Sequence, residues 1–150
     1  MSLDQEVALL RNIPLFAKID PAKLKLLAFA SERTMFAGGE TLFRQGDAGD
    51  AAYIIIEGEA EVLVDTPDGS LAVATLARND FVGEIAILCD IPRTATVRAT
   101  EPLIALRITK ELFFRMVMDF PAMGVEVMRE LAHRLEHTTQ RLRQAMTARG

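Results

Sequence analysis

Residues 53–74 read YIIIEGEAEVLVDTPDGSLAVA, and this stretch carries the signals of a β-rich core. Residues 53–56 form a continuous apolar run, which is typical of a strand buried on both of its faces. Residues 61–64 and 71–74 flank a turn at residues 66–70, and this arrangement predicts a hairpin. The stretch therefore predicts three short strands in sequence.

The same pattern extends outward to residues 34–108, where short β-rich runs alternate with glycine, proline, asparagine and aspartate turns, a spacing typical of a small barrel or sandwich. Residues 9–30 instead carry apolar positions at helical spacing, and Asp20 with Pro21 can start a helix there. Helical spacing returns at residues 110–118 and, after Pro121, over a longer segment reaching about residue 145. The order of helices, strands and helices predicts one α+β domain, residues 1–150.

The composition excludes several classes of protein. Half of the 150 residues are hydrophobic and a quarter are charged, which is a globular balance. No apolar run approaches the roughly 20 residues that a membrane span needs, and the acidic start does not resemble a secretory signal. The net charge of −4 gives no general attraction to nucleic acid. The single cysteine, Cys89, agrees with a reducing compartment, and we expect a cytoplasmic protein without direct membrane insertion.

Residues 81–97, FVGEIAILCDIPRTATV, hold the residues suited to binding chemistry. Gly83 allows the backbone to approach a ligand closely, and a short helix starting there would point the N–H groups of Glu84, Ile85 and Ala86 at one spot. A helix start of this kind attracts anions. Arg93 follows ten residues later, and its guanidinium has paired donors that match two phosphate oxygens. The segment therefore predicts a pocket for one phosphate group.

Glu84 is unexpected beside an anion unless it faces another part of the same ligand. A carboxylate near Arg93 stays ionised, and a ribose hydroxyl is a suitable donor to it. A phosphate and a hydroxyl a short distance apart indicate a ribonucleotide. The alternative is that Glu84 and Arg93 form a structural ion pair on the barrel wall.

The segment resembles the phosphate-binding cassette of the cyclic nucleotide-binding domain family, which includes protein kinase regulatory subunits, cyclic nucleotide-gated channels and bacterial catabolite activators. The family pattern is F-G-E-x-A-L followed by P-R-x-A-T-V. The residues that fit it are Phe81, Gly83, Glu84, Ala86, Leu88, Pro92, Arg93, Ala95, Thr96 and Val97. The extra Val82 resembles the bacterial activator form, whereas the separation of Gly83 from Arg93 resembles the kinase form.

The resemblance implies a β-roll, a jelly roll similar to a double-stranded β-helix, with short N-terminal helices and a long C-terminal helix. It further implies that the cyclic phosphate contacts Arg93, Thr94 and the N–H groups after Gly83, and that Glu84 holds the ribose 2′-hydroxyl. Because Arg93 can neutralise the single charge of the ligand, we expect no metal and no cofactor, only cAMP or cGMP as ligand.

The choice of base depends on Thr94 and on a pair of hydroxyl residues near the C-terminus. Family members selective for cAMP often have alanine at the position of Thr94, and those accepting cGMP often have threonine, yet the bacterial activator has serine there and takes cAMP. Thr138 and Thr139 resemble the activator's hydroxyl pair, which hydrogen-bonds the adenine. We favour cAMP, with cGMP as the alternative; Thr138 and Thr139 are otherwise tolerated helix positions.

The predicted C-terminal helix carries an apolar seam at spacings of three and four residues. Its members are Met128, Leu131, Leu135, Thr138, Leu142 and Ala145. The seam predicts either a homodimer or a single amphipathic helix lying on its own barrel. We expect this helix to move when the ligand binds, with Leu131, Leu135 and Leu142 as lid or dimer contacts. His133 and His137 lack a third metal-type ligand and receive no role.

There are three alternative functions. An enzyme of the cupin type needs several histidine and glutamate ligands on its strands, and both histidines lie outside the strand region, so we expect no catalytic residues. The chain also fits the sensor part of a transcription regulator without its DNA-binding domain. The last alternative is a degenerate β-roll that serves protein contacts and binds no nucleotide.

Overall fold

A computed structural model describes residues 2–13, 16–17 and 19–149 of the chain. In the last helix, only the backbone is described at positions 127, 130, 131, 134, 135, 137, 138, 141 and 147–149. The helices are α1 (Leu3–Arg11), α2 (Pro21–Ala30), α3 (Glu84–Cys89), α4 (Lys110–Asp119) and α5 (Pro121–Arg149). The strands are β1 (Glu32–Phe36), β2 (Thr41–Phe43), β3 (Ala51–Glu57), β4 (Ala60–Thr66), β5 (Gly69–Leu76), β6 (Phe81–Val82), β7 (Thr96–Ala99) and β8 (Leu103–Thr109).

The strands form two antiparallel four-stranded sheets. We call the sheet of order β1-β8-β3-β6 the covered sheet and the sheet of order β2-β7-β4-β5 the open sheet. Chain neighbours β1 and β2 lie in different sheets, as do β7 and β8, so the chain passes repeatedly between the two layers. This arrangement confirms the α+β β-roll that the sequence predicts.

Two apolar clusters hold the layers together. The first lies between the covered sheet and the helices that pack on it, and it joins residues such as Phe16, Leu24, Ile54, Leu106 and Phe113. The second lies between the two sheets and includes residues of β2, β3, β4, β7 and β8. β3 contributes to both clusters because its side chains alternate between the two faces, and its first six residues are all buried. This confirms the prediction of a strand buried on both sides.

The N-terminal helices begin as their sequences predict. The Asp20 side chain accepts a hydrogen bond from the N–H of Ala22 at 3.0 Å, and Pro21 occupies the first turn of α2. α1 begins earlier than the sequence indicated, at a capping box in which Ser2 and Gln5 satisfy each other's backbone N–H groups. The prediction of two short N-terminal helices is confirmed.

The predicted hairpin is formed by β4 and β5, which pair from Ala60 with Leu76 to Thr66 with Gly69. β5 is the edge strand of the open sheet, and its residues are exposed apart from the half-buried Leu76. Cys89, at the end of α3, is also exposed. Within the described part of the chain, no helix combines the length and the apolar character that a membrane crossing needs.

Candidate functional site

The connection from β6 to β7 passes from the covered sheet to the open sheet, and it contains the cassette. Gly83 adopts a left-handed conformation, φ 95°, and stands at the N-cap of α3 without a side chain to cap it. A Cβ atom at this position would lie 2.7 Å from Nη1 of Arg93 and 3.2 Å from the carbonyl oxygen of Ala51. Both the backbone conformation and the lack of space therefore require glycine.

Arg93 is held at the other side of the cassette by its backbone. Its N–H donates to the carbonyl of Asp47 at 2.8 Å, and its own carbonyl accepts from the N–H of Gly46 at 2.9 Å. The guanidinium then reaches back to α3, where Nη1 donates to the carbonyl of Gly83 at 2.8 Å and Nη2 donates to the carbonyl of Ala51. The structure thus brings Arg93 and Gly83 into direct contact.

The surroundings of Arg93 are unusual for an arginine because the residue is only 3% exposed. Its guanidinium carbon lies 4.0 Å from the centre of the Phe43 ring, a cation–π geometry. Nη2 is 3.7 Å from Oδ1 of Asp50. Burial lowers the pKa of Arg93 below its ordinary value, against the negative charge of Asp50, which raises it. An arginine remains protonated under such conditions, so the site keeps a buried positive charge.

One donor of this guanidinium has no acceptor. The Nε atom is buried, and among the described residues no hydrogen-bond partner reaches it. A guanidinium carries five N–H groups, and the two hydrogen bonds to backbone carbonyls use only part of this capacity. An unsatisfied buried donor costs about 1–3 kcal/mol, and more on a charged group. The arrangement is therefore suited to an additional anionic acceptor.

A cavity of about 170 Å³ lies beside the guanidinium. It is lined by Phe43, Val62, Val82, Gly83, Glu84, Ile85, Ala86, Arg93, Thr94, Ala95 and Val97. Six residues that the sequence predicts as site residues, from Gly83 to Ala86 with Arg93 and Thr94, thus share one cavity. Thr139 is exposed on α5 and does not line it. The side chain of Thr138 lies outside the described residues.

Glu84 is the first residue of α3, and it is 4% exposed. Its negative charge acts on Arg93 in the direction that raises the pKa of the arginine, although less strongly than that of Asp50. A buried carboxylate and a buried guanidinium therefore both line one cavity. This pairing can recognise a ligand that carries both an acceptor group and a hydroxyl donor.

Sequence reasoning missed two of the residues that surround Arg93. Phe43 lies under the guanidinium and Asp50 beside it, and both precede Arg93 by more than 40 residues. The sequence does point to Asp50, because this residue stands directly before the buried strand β3. A carboxylate at that position cannot join the apolar packing of the strand. Phe43 carries no comparable signal, because an aromatic residue in a strand is most often part of the core.

The structure gives no sign of a metal centre: within the part of the chain that it describes, no three histidine, cysteine, aspartate or glutamate side chains are grouped to hold an ion. The buried guanidinium of Arg93 lies on the same cavity wall as the start of α3, and both groups are chemically suited to an anion.

Comparison with known proteins identifies the family. Residues 33–120 match the model of the cyclic nucleotide-binding domain, and the chain belongs to this family. It is 35% identical over 111 residues to the cAMP-dependent protein kinase regulatory subunit of Blastocladiella emersonii, in an alignment that covers 73% of this chain. The family that the sequence resembles is therefore confirmed.

Two solved structures are similar in fold. The regulatory domain of protein kinase A from Toxoplasma gondii, solved with cAMP, superposes with a TM-score of 0.71 at 25% identity, covering 82% of this chain and 49% of that one. The catabolite activator protein of Thermus thermophilus gives a TM-score of 0.80 at 25% identity, covering 86% of this chain and 61% of that one. This chain spans only 28% of the length of the Blastocladiella subunit.

Proposed function

We propose that this domain binds a cyclic nucleotide monophosphate, cAMP in preference to cGMP, and that it is a regulatory module rather than an enzyme. The observation that carries the proposal is the buried guanidinium of Arg93, whose Nε lacks an acceptor among the described residues. A cyclic phosphate supplies one negative charge and two free oxygens, which suit this single cation without a metal. The N–H groups at the start of α3 add further donors.

Glu84 provides the second half of the proposed recognition. Its carboxylate is buried on the cavity wall next to the start of α3. A ribose 2′-hydroxyl that donates to this carboxylate would place the sugar between Glu84 and Arg93. A linear arrangement of phosphate and sugar along this wall explains why a carboxylate stands beside an anion site.

The proposed recognition of the adenine base depends on Thr94 and on two threonines of α5. Thr94 lines the cavity and is exposed, so its hydroxyl is available to a ligand. The assignment of Thr138 and Thr139 to the adenine is a proposal that rests on the resemblance to the bacterial activator. On this basis we propose selectivity for cAMP over cGMP.

We propose that α5 transmits the effect of ligand binding. Met123 anchors the beginning of this helix in the core, at 2% exposure. Of the proposed lid or dimer contacts, Leu142 is exposed, as are the apolar residues Met128 and Met146. The side chains of Leu131 and Leu135 lie outside the described residues. The same site would serve the sensor part of a transcription regulator, which is the alternative role.

The test is calorimetric titration of the chain with cAMP. Substitution Arg93→Leu leaves the phosphate without its charged donor, and we expect a loss of about 2–5 kcal/mol, or 30-fold or more in affinity. Arg98→Leu is the matched control, because Arg98 pairs with Glu61 on the open sheet and does not line the cavity. It should change the affinity by less than about twofold.

Thermal unfolding of both variants separates a lost contact from a lost fold. A folded Arg93→Leu chain that binds cAMP as tightly as the parent would contradict the proposal. Arg93→Lys, which keeps the charge without the fork of donors, should bind with intermediate affinity.

A further inference from the structure

A second arginine lies next to the proposed site, in a row of side chains that crosses the covered sheet. Glu32 on β1 and Tyr53 on β3 are both directly opposite Arg107 on β8 in the strand register. Residues that are opposite each other in antiparallel strands project from the same face. The three side chains are therefore neighbours, and Nη1 of Arg107 lies 3.3 Å from Oε2 of Glu32.

Asp50 joins this row to the cassette. Its Oδ2 atom is 3.4 Å from Nη2 of Arg107, and its Oδ1 atom is 3.7 Å from Nη2 of Arg93. The two arginines thus share one carboxylate, with one oxygen for each. The cassette arginine is almost fully buried, whereas the Asp50 side chain is 70% exposed, so the carboxylate reaches the site from the solvent side.

An aromatic route connects the same two arginines. Arg93 stacks on Phe43, and the Phe43 ring stacks on Tyr53 with 6.1 Å between centroids and 30° between planes. Partial burial lowers the pKa of Arg107, but its hydrogen bond with Tyr53 and the charge of Asp50 outweigh this, so the pKa is raised above its ordinary value. A closed ring results, in which each residue contacts the next: Arg93, Asp50, Arg107, Tyr53 and Phe43.

The sharing of Asp50 has an electrostatic consequence. A carboxylate close to Arg93 competes with any anionic ligand for the guanidinium, because both are attracted by the same charge. Arg107 opposes this competition, since it attracts the other oxygen of Asp50 and adds a positive charge of its own. Without Arg107, Asp50 would be free to turn fully to Arg93.

We propose that Arg107 is a positioning residue for anion binding: it holds Asp50 between the two arginines, so that Arg93 keeps its attraction for a phosphate. This inference rests on the proposed function, in which Arg93 receives the cyclic phosphate. Arg107 does not line the cavity and acts through Asp50. The ligand affinity is thereby set by a residue outside the cassette.

The test is a double-mutant cycle on cAMP affinity, measured by calorimetry at fixed ionic strength. Arg107→Met should weaken binding about fivefold, the size expected of a partly exposed ion pair. Asp50→Asn in the Arg107→Met background should restore the affinity to within about twofold of the parent chain. A purely structural role of Arg107 would not be rescued by removing a carboxylate. Arg107→Lys should retain most of the affinity, because it keeps the charge.

The outcomes separate this inference from the function on which it rests. No binding of cAMP by the parent chain contradicts the proposed function itself. Unchanged affinity in Arg107→Met, with the loss in Arg93→Leu intact, overturns the role of Arg107 alone. That role is also overturned if Asp50→Asn fails to restore binding in the Arg107→Met background.

A second variant covers the case in which Arg107→Met does not fold. Glu32→Gln releases Arg107 from its other carboxylate, so that it holds Asp50 more firmly. We expect binding that is equal to that of the parent or up to about twofold tighter. Weaker binding in this variant, with an unchanged unfolding temperature, would overturn the inference.

Discussion

The covered sheet and the open sheet have four strands each, yet they bury different amounts of the chain. Helices pack on the outer face of the covered sheet, and its strand β3 is buried on both sides. The open sheet carries exposed residues such as Asp65 and Arg98 on its strands, and its edge strand β5 is exposed for almost its whole length. The cassette lies in the connection between them. The difference indicates that burial in the covered sheet stabilises the roll more than the exposed edge of the open sheet does.

The largest expected effect is on folding. Ile54→Ala removes a fully buried side chain from β3 and should lower the free energy of unfolding by about 2–5 kcal/mol, through lost burial and a cavity. Val73→Ala on β5 is the matched control, because Val73 is half exposed, and we expect a change within about 0.5 kcal/mol. Urea unfolding of both variants measures the contrast. Losses of similar size would show that the two sheets contribute equally.

The next effect concerns the buried carboxylate of the cassette. If Glu84 accepts the ribose 2′-hydroxyl, the parent chain should prefer cAMP to 2′-deoxy-cAMP by about tenfold, as for a hydrogen bond to a charged group. Glu84→Met, which offers no oxygen to accept this bond, should reduce this preference to about twofold or less. Titration with both ligands measures the preference. Glu57→Met, at the exposed end of β3, is the control, and a preference that survives in Glu84→Met would exclude the proposed contact.

The smallest expected effect is a change in the amide hydrogen-exchange rates of α5. We expect cAMP to slow amide hydrogen exchange over residues 121–145 by about two- to tenfold, because a ligand-responsive helix belongs to the less stable part of a domain. Exchange in β3 should stay constant, since this strand is buried in either case. Equal exchange in α5 with and without ligand would remove the support for its role in signalling.

Much of the fold follows from local sequence patterns. The buried strand β3, the β4–β5 hairpin and the start of α2 at Asp20 and Pro21 each depend on a few consecutive residues, and each prediction is confirmed. Gly83 also acts locally, since its conformation starts α3. Predictions of this kind succeed because the decisive interactions lie within a turn of helix or a hairpin.

The residues around the guanidinium of Arg93 could not be predicted in the same way. Arg107 meets Tyr53 and Glu32 only through the register of three strands, and 75 residues separate Glu32 from Arg107. Periodicity indicates which face of a strand a residue occupies, but its partner on a neighbouring strand also depends on the turns that connect the strands. The sequence therefore locates the cassette. The charged and aromatic side chains around Arg93 are brought together only when the strands of the roll pack.

Gly49 shows how firmly the cassette is tied to its own scaffold. A Cβ atom at this position would lie 2.5 Å from the Cβ of Ala86, so α3 rests directly on bare backbone. A protein engineer who transplanted residues 81–97 into another β-roll would also have to transfer this loop, because an alanine there would lift the grafted helix. The smallest transferable unit of the site is thus a pair of segments, distant in sequence, that must be exchanged together.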